Sequence, residues 1–414
     1  MVQFKNSACG LVEGGDVAPT PDRAATVVLQ VGPALEETGG MATVCRQIVE
    51  PESKGPFRII HFATTLGTEG KESFFARIGR HVQHVRKLRE CIRLHQARVV
   101  HIHTCSGFSF FRSAIDAWTA RREGCRAVLH IHGAGFDRFC AEASGMSRWI
   151  IRQILERTDA VIALSRGWAE TLRGTAPRAN VVVVENAVPD APSREAGNAS
   201  PTCQFLLLAR MDTWKGVDDL LAACAILKGL QTDFRVTLAG PPGEGDDAAA
   251  LVDRIAASRL ENCVRFVGPV HGDAKEILWR QTDVLVQPSH QEGMPMSMLE
   301  ALMRGIPVVA TRVGAIPEVI TAGREGLLVR PRAVDELAAA MLKMVNDSQG
   351  RRGMGTAARE LAQHRFSLAR FERDLGALYA SFMRDPAQPH PVGQGQAAVS
   401  PAPCGTCRIT AVSV

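Results

Sequence analysis

The chain has 414 residues, of which 46% are hydrophobic and 22% charged, and this is the composition of an ordinary globular protein with room for two domains. Its formal net charge of +5 is mild and excludes the strongly basic surface of a histone-like nucleic-acid-binding protein. Its 11 cysteines are odd in number and lack framework spacing, which indicates reduced thiols in a cytosolic protein.

The two ends of the chain differ from the rest in composition. Segments 1–24 and 385–414 are rich in Gly, Pro, Ala and Ser and have little periodicity, so we expect both to be disordered. The N-terminal segment lacks the apolar core of a signal peptide. No apolar run approaches the roughly 20 residues that a membrane span needs.

Between these ends, short β-branched runs alternate with helical patterns. A first series of predicted strands comprises 25–31, 57–62, 98–103, 127–132, 160–164 and 181–184. A second series comprises 205–208, 235–239, 264–267, 284–286 and 307–311. Continuous apolar strands separated by helices indicate parallel sheets covered on both faces. The two series therefore predict an α/β protein with two doubly wound domains.

A stretch of linker composition at 189–201 divides the two series. We place an N-terminal domain at 25–195, a C-terminal domain at 196–366 and a closing helix at 367–384. Ligands of open α/β sheets bind beyond the carboxyl ends of the strands. The cleft between the two domains is therefore the expected site.

Two carboxylates stand out in the otherwise apolar segment 284–311. Glu292 lies in the loop after a predicted strand, and Glu300 lies in the second turn of a helix that Pro295 opens and Gly305 ends. The free N–H groups and positive dipole end of such a helix suit a phosphate, whereas carboxylates beside it suit the hydroxyls of a sugar and a ribose. Either glutamate alone would be read as a solvated side chain, but the whole pattern favours a ligand site.

This segment resembles the E-x7-E signature of a large family of retaining glycosyltransferases, family 4 or group 1. The resemblance rests on the E-G-x-P, L-E-A and G-x-P-V-V-A motifs between 292 and 310, and extends over most of 25–384. It implies the GT-B fold, in which two Rossmann-like domains face each other across a cleft. It also implies that Glu300 binds the nucleotide ribose and that Glu292 contacts the donor sugar. The backbone expected to touch that sugar belongs to Gly293, Met294, Pro295 and Met296.

In the first domain, two motifs follow predicted strands. Gly39 and Gly40 come after the first strand, where glycines allow the backbone to approach a ligand closely. A plain strand-to-helix turn explains the spacing equally well, but the resemblance places this loop beside the donor phosphates and the acceptor. His132 ends another strand and matches the family's histidine that hydrogen-bonds the donor sugar.

In the second domain, Arg210 and Lys215 share the loop after the first strand. Two cations there can hold a diphosphate and stabilise its departure, and the resemblance favours this role over surface charge. Val267 follows the strand where the family packs the nucleotide base. Asn186, at the domain crossover, is interpreted as a hinge.

The sequence predicts that catalysis needs neither a metal nor another cofactor, with the nucleotide-sugar as co-substrate, because no D-x-D pair follows a strand. The reaction expected from the resemblance is transfer of a hexose from a UDP- or GDP-sugar to a glycan or lipid-linked acceptor, in exopolysaccharide, capsule or lipopolysaccharide synthesis. A sugar-nucleotide hydrolase or epimerase of the same architecture, and a non-catalytic binding subunit, remain as alternatives. Nucleic acid is not an expected partner.

Two basic segments of the first domain suggest where the protein meets a membrane. Segment 71–98 has apolar residues at helical spacing with Arg and Lys between them, and segment 148–152 reads RWIIR. A core-facing helix with a charged outer side is the simpler interpretation of the apolar stripe. The excess of arginine still makes a weak peripheral contact with anionic lipid plausible, on the inner face of the cytoplasmic membrane of a cytoplasmic protein.

Overall fold

A computed structural model describes residues 26–50, 56–64, 74–193, 202–243, 247–384 and 407–408, with the side chains of 74–78 and 407–408 left out. The two segments expected to be disordered lie outside the described residues, apart from Cys407–Arg408, whose backbone pairs with a strand of the first sheet. Among the described helices, none is both long and apolar enough to cross a membrane.

The first sheet is built from seven strands in the order β13-β2-β1-β3-β4-β5-β6. All neighbours pair in parallel except β13, which is antiparallel to β2. Its strands are β1 (Thr26–Gly32), β2 (Phe57–Ala63), β3 (Val99–Thr104), β4 (Arg126–Ile131), β5 (Ala160–Ala163), β6 (Val181–Val183) and β13 (Cys407–Arg408). The helices between them are α1 (Gly40–Val49), α2 (Phe74–His95), α3 (Phe108–Arg122), α4 (Phe136–Glu142), α5 (Gly145–Arg157) and α6 (Arg166–Thr175).

The second sheet has six parallel strands in the order β12-β11-β10-β7-β8-β9. They are β7 (Cys203–Leu208), β8 (Phe234–Ala239), β9 (Val264–Phe266), β10 (Val284–Gln287), β11 (Val308–Thr311) and β12 (Gly326–Val329). The helices are α7 (Val217–Gly229), α8 (Ala248–Ala257), α9 (Gly272–Gln281), α10 (Met296–Met303), α11 (Ile316–Val319), α12 (Val334–Asn346), α13 (Ser348–Arg365) and α14 (Leu368–Arg384).

The predicted fold of two doubly wound parallel-sheet domains is confirmed. Every strand predicted from the sequence is present, with ends shifted by one or two residues. Two strands were missed, namely β13, which lies in the tail expected to be disordered, and β12. The reason is clear for β12. It has four residues and directly follows a turn that contains Gly323, so it gave too short an apolar run to be recognised.

The last helix, α14, joins the two domains. Its apolar residues recur every three or four positions, so one face is buried while the other carries charge. Phe371 is completely buried in an apolar cluster that contains residues of β1, β3 and β4 as well as α10. Near its C-terminal end, the Tyr379 ring packs edge-on against Phe57 of β2, with ring centroids 5.4 Å apart.

The strand orders determine where a ligand can approach the two sheets. In each sheet the order of strands reverses beside the first strand, between β1 and β3 and between β7 and β10. At such a switch point the loops leave to opposite faces of the sheet and open a crevice at its carboxyl edge. The loops that follow β1, β7 and β10 contain most of the residues that the sequence marked as a site.

Candidate functional site

The N-terminal ends of α1 and α10 meet across the cleft between the domains. A Cβ atom placed on Gly40, the first residue of α1, would lie 3.5 Å from Cγ of Met296, the first residue of α10. Neither helix has a side-chain cap or an acidic residue in its first turn. Their first backbone N–H groups therefore remain available to an anion held between the domains.

The loop after β10 touches the first domain directly. A Cβ on Gly293 would lie 2.8 Å from the carbonyl oxygen of His132 and 3.5 Å from Cδ1 of Leu164. Only glycine allows this approach without displacing the neighbouring backbone. The structure thus brings the two sequence-marked residues Gly293 and His132 together from different domains.

Glu292 lies in a polar nest on the floor of the cleft. Its Oε1 accepts hydrogen bonds from Lys215 Nζ at 2.6 Å, from Ser289 Oγ at 2.7 Å and from Gln287 Nε2 at 2.8 Å. The carboxylate is buried, with 6% of its side-chain surface exposed, and the Lys215 side chain is 14% exposed. A buried ion pair of this kind is held in one geometry by its extra hydrogen bonds.

The second cation of the same loop is more accessible. Arg210 Nε donates to Asp212 Oδ2 at 2.6 Å, and about half of the Arg210 side chain is exposed. Its two terminal nitrogens have no hydrogen-bond partner within the described parts of the chain. Gly216, with φ of 74°, turns this loop into α7, and a Cβ there would lie 2.0 Å from the Pro288 carbonyl oxygen. The glycine therefore holds the Arg210–Lys215 loop against the loop that carries Glu292.

The loop after β10 is supported from two further directions. Gly314, in the turn after β11, has φ of 55°, and a Cβ on it would lie 2.0 Å from the Glu292 carbonyl oxygen. The next backbone N–H, of Ala315, donates to the Gly293 carbonyl at 2.9 Å. Asn186, at the crossover between the domains, donates through Nδ2 to the Met294 carbonyl at 3.1 Å.

Glu300 lies apart from Glu292, in an ion pair of its own. Lys275 of α9 approaches its two carboxylate oxygens to 2.8 Å and 2.7 Å, and the Glu300 side chain is 13% exposed. Val267, which follows β9, is 39% exposed and is free to pack against a ligand. The two glutamates are thus eight residues apart in sequence and hold two different lysines.

His132 is partly exposed and adjoins a buried group of histidines. His103 Nδ1 lies 2.8 Å from His132 Nε2, and His101 Nε2 lies 3.1 Å from His130 Nδ1. Desolvation lowers the pKa of His101 and of His132 to about 3, the latter with no opposing charge. The imidazoles are therefore neutral at physiological pH.

Sequence reasoning missed several partners of the marked residues. Gln287 and Ser289 hydrogen-bond Glu292 and could have been noticed, because they end the same strand and open the same loop. Lys275 could not, since it comes from the preceding helix and nothing in its surroundings in the sequence sets it apart. Nor does any local pattern in the sequence mark Glu318, which contacts Ser165 and the backbone of Arg166 and Gly167 in the first domain.

Comparison with protein families divides the chain at the same place as the fold. The family described as "Glycosyltransferase Family 4" matches residues 24–191, and the family described as "Glycosyl transferases group 1" matches residues 193–361. Together the two matches cover β1 to β6 of the first sheet, the crossover and the second sheet up to α13.

The similarity to individual proteins is low in sequence identity. The glycogen synthase of Mycobacterium tuberculosis is 28% identical over 278 residues, which are 64% of this chain and 65% of that protein. The chain thus spans just under two thirds of the length of that relative. Among solved structures, sucrose-phosphate synthase from Thermosynechococcus elongatus superimposes with a TM-score of 0.70 at 18% identity, covering 87% of this chain and 99% of that one. Anabaena Alr3699/HepE, solved in complex with UDP, gives a TM-score of 0.66 at 20% identity, covering 86% and 99%.

Proposed function

The chain belongs to the group 1 and family 4 glycosyltransferases, and on that premise we propose that it moves a hexose from a UDP- or GDP-sugar to a glycan or lipid-linked acceptor. The observation that carries the proposal is the pairing of Glu292 with Lys215 on the cleft floor, at 2.6 Å, beside the uncapped N-terminus of α10. A cation that suits a phosphate thus lies next to an oxygen that can accept from sugar hydroxyls, and this supports the proposal.

Each marked residue then has a task in the proposed reaction. Arg210 and Lys215 hold the diphosphate and stabilise the charge that develops as it leaves, together with the helix dipoles of α1 and α10. Glu300 accepts from the ribose hydroxyls once Lys275 gives way. Glu292 and His132 hold the donor sugar from opposite domains.

We propose retention at the anomeric carbon. The bond from this carbon to the diphosphate oxygen breaks, and the acceptor oxygen bonds to the carbon on the same face. The acceptor proton passes to an oxygen of the departing phosphate, so His132 acts by binding the sugar and not as a base. Desolvation lowers the pKa of His132 to about 3, and the neutral imidazole that results agrees with a role in binding the sugar. We further propose that no metal is required, because two cations and two helix termini already face the diphosphate position.

We also propose an acceptor and a cellular role. The glycogen synthase among the relatives extends a glycan, by its name, and a growing glycan is the acceptor that we propose for this chain. We assign it to polysaccharide assembly, either exopolysaccharide, capsule or lipopolysaccharide, on the inner face of the cytoplasmic membrane.

A groove of about 880 Å³ in the first domain supports a weak peripheral contact with anionic lipid. It lies between α3 and α5, and Trp118 and Trp149 on its rim are both 58% exposed. The groove is also lined by five arginines and one carboxylate, namely Arg98, Arg121, Arg122, Arg126, Arg157 and Asp159. Exposed tryptophans beside an excess of arginine are typical of surfaces that rest on anionic headgroups. The RWIIR segment contributes through Trp149, whereas Leu88 and Ile92 of α2 face the core.

Two alternatives predict different behaviour. A sugar-nucleotide hydrolase or epimerase would release or convert the donor sugar without an acceptor. A non-catalytic subunit has no need of the two lysine–glutamate pairs, which the described structure keeps intact.

The test begins with calorimetric binding of UDP, GDP and ADP to the wild-type protein and to Glu300→Ala. Binding of one nucleotide, weakened about tenfold in the variant by loss of a charge-assisted hydrogen bond to the ribose, is the expected result. The matching nucleotide-sugars are then offered with glycan acceptors, and proton NMR of the product reports its anomeric configuration. If the protein is folded but binds no nucleotide, the proposal of an enzyme is wrong and the non-catalytic subunit takes its place.

A further inference from the structure

A line of hydrogen bonds runs beneath the cleft from the loop after β1 to His132. His61 Nε2 lies 2.9 Å from the Pro33 carbonyl oxygen, and His61 Nδ1 lies 3.0 Å from the Gln30 side-chain amide. The other end of this amide lies 3.0 Å from His103 Nε2, and His103 Nδ1 lies 2.8 Å from His132 Nε2. Gln30, His61 and His103 are buried, so water does not interrupt the line.

The carbonyl at one end gives this line a direction. Because the Pro33 oxygen can only accept, His61 Nε2 must carry a proton, and a neutral His61 then has a bare Nδ1. That nitrogen needs the N–H group of Gln30, whose oxygen then accepts from His103 Nε2–H. The bare His103 Nδ1 in turn accepts from His132 Nε2–H. The Gln30 oxygen faces His61 in the structure, and a half-turn of the amide, which leaves its shape unchanged, satisfies all of these groups.

We propose that this line fixes His132 as the Nε2–H tautomer and so presents its bare Nδ1 to the cleft, as the acceptor of a hydrogen bond from a donor-sugar hydroxyl. His132 Nδ1 has no hydrogen-bond partner within the described residues and is accessible to solvent. His130 Nε2, in contrast, is unpartnered and completely buried. His61, Gln30 and His103 are then positioning residues. The inference rests on the sugar-binding role proposed above for His132.

Burial keeps the members of the line neutral, as its direction requires. Desolvation is the main cause that lowers the pKa of His61 and of His103 below the usual value. The Pro33 carbonyl and the Glu36 carboxylate raise the pKa of His61, but the effect of desolvation is larger. If His61 were charged, it would donate from both nitrogens, and the bond to Pro33 would keep its direction. Every bond from His61 Nδ1 to His132 would reverse, and His132 Nδ1 would become a donor.

A metal ion bound near His103, which belongs to the line, is the competing explanation. His101, His103 and His130 each have a ring nitrogen within 4.8 Å of the others. However, the His101 and His103 rings are stacked, with centroids 4.6 Å apart and planes inclined by 10°. The lone pairs of stacked rings run side by side and do not converge on one point, as metal ligation at about 2.1 Å requires. Both His103 nitrogens are also already engaged in the line.

The tautomer can be read directly by long-range ¹H–¹⁵N NMR of protein labelled with ¹⁵N-histidine, with His132 assigned by comparison with His132→Gln. The expected result is a protonated Nε2 and a bare Nδ1 in the wild type. Gln30→Met keeps the side-chain length but breaks the line, and His61→Phe removes its anchor, so both should give a mixture of His132 tautomers. Gln30→Glu should keep the wild-type tautomer, because its carboxylate still accepts from His103 Nε2–H.

Gln47→Met is the matched control. Gln47 is also a buried glutamine of the first domain, but neither of its amide atoms has a hydrogen-bond partner in the described structure. We expect this variant to leave the His132 spectrum and kcat/KM unchanged. Gln30→Met should lower kcat/KM about three- to tenfold, through a raised KM for the donor, which is the size of one neutral hydrogen bond. Gln30→Glu should restore most of the loss.

Three outcomes would overturn the inference: a proton on His132 Nδ1 in the wild type, an unchanged tautomer in both Gln30→Met and His61→Phe, or stoichiometric binding of Zn²⁺ that shifts the histidine resonances of the wild type and not of His101→Ala. Failure of the proposed function looks different. In that case the tautomer and its response to the variants are as expected, but no nucleotide-sugar shifts the His132 resonances.

Discussion

At the residue scale, the nest around Glu292 connects the binding role and the catalytic role that we propose for it. One carboxylate oxygen accepts from a lysine, a hydroxyl and an amide, all within 2.8 Å. Such a carboxylate holds Lys215 in place without a ligand. In the proposed reaction, the cation need not be reorganised when charge develops on the leaving phosphate. Because both side chains are largely buried, the loss of either one would leave the charge of the other buried and unpaired.

Glu292→Gln is the sharpest test of this nest. The amide preserves the shape but removes the charge, so Lys215 loses its partner and the sugar loses a strong acceptor. We expect the transfer rate to fall about a hundredfold or more, while affinity for the nucleotide alone changes little. Transfer assays and calorimetry on the same preparation measure the two quantities.

A second buried glutamate of the same domain provides the control. Glu325 is 3% exposed and accepts from the Thr321 backbone N–H at 2.8 Å, immediately before β12 and thus at the sheet edge opposite the cleft. Glu325→Gln should lower stability and leave transfer intact. If both variants lose transfer equally, the effect of Glu292 is structural and its assigned contact with the sugar is wrong.

At the scale of elements, the loops at the carboxyl edge of the second sheet support one another by close backbone contacts. The turn after β11 packs under the loop after β10 because Gly314, with φ of 55°, brings it against the Glu292 carbonyl. Through backbone contacts of this kind, the position of β11 determines the position of Glu292 in the loop after β10.

Gly314→Ala should therefore damage the donor site at a distance. Its Cβ would lie 2.0 Å from the Glu292 carbonyl oxygen, so the loop after β10 must move. We expect donor binding to weaken about tenfold or more, since a small misplacement of site groups costs that much. Gly323→Ala is the matched control, because Gly323 has φ of 87° but no atom within 4 Å of the added Cβ. Calorimetry with the preferred nucleotide compares them, and equal weakening in both would point to backbone strain alone.

A carboxylate of the second domain caps a helix of the first. Glu318 accepts from Ser165 Oγ at 2.7 Å and from the backbone N–H groups of Arg166 and Gly167 at 2.9 Å, at the N-terminus of α6. Helix capping and the helix dipole both favour this contact. It ties the two domains together at the edge of the cleft.

Glu318→Ala should shift the domains towards a more open arrangement. Loss of a cap costs about 1 to 2 kcal/mol, which is about a five- to thirtyfold change in the balance between closed and open forms. Small-angle scattering should report a larger radius of gyration, and the KM for the donor should rise. Asp247→Ala is the control, because Asp247 caps α8 within the second domain, by accepting from the Ala250 N–H at 2.6 Å. An unchanged scattering profile in Glu318→Ala would show that other contacts hold the domains.

Sequence and structure agree where one physical rule dominates. Apolar runs between helices predicted both sheets, because strands buried on both faces must be continuously apolar. Glycines and the proline around Glu292 predicted a loop and a helix start, and α10 begins one residue after Pro295. What could not be predicted depends on contacts between distant parts of the chain. Lys275, His61 and Glu318 reach their partners only after the sheets are assembled, and no local pattern marks them.

At the scale of the whole molecule, the groove and the cleft lie at opposite edges of the first sheet. The groove lies beside the residues that precede β3, β4 and β5, whereas His132 follows β4. Six residues of β4 span about 20 Å. A membrane in contact with the groove would thus lie about that far below the cleft, which favours a glycan carried on a lipid over a bare lipid headgroup as acceptor.

Binding to vesicles tests the groove. We expect the protein to sediment with vesicles of phosphatidylglycerol at low salt, to be released at about 0.5 M salt, and to ignore phosphatidylcholine. Trp118→Ser together with Trp149→Ser should weaken binding severalfold. Leu230→Ser is the control, because Leu230 of the second domain is just as exposed, at 59%. Equal loss in both would mean that exposed apolar surface in general, and not this groove, causes sedimentation.

The buried histidines couple the stability of the whole molecule to pH. Burial lowers the pKa of His101 from 6.5 to about 3, so the folded protein keeps it neutral while the unfolded chain takes up a proton below pH 6.5. The stabilisation is therefore complete above pH 6.5 and is lost as pH falls from 6.5 towards 3. Each such histidine contributes a slope of up to about 1.4 kcal/mol per pH unit within that window.

His101→Gln should flatten this dependence. The glutamine amide takes the position of His101 Nε2, which lies 3.1 Å from His130 Nδ1, but it cannot take up a proton. Urea unfolding between pH 7 and pH 4.5 should then give a free energy that falls less steeply than in the wild type, by about 1.4 kcal/mol per pH unit. His364→Gln, on the exposed face of α13, controls for the removal of a histidine. Parallel curves for His101→Gln and the wild type would mean that His101 takes up its proton in the folded protein as readily as in the unfolded chain, and that the stack beneath the cleft admits charge.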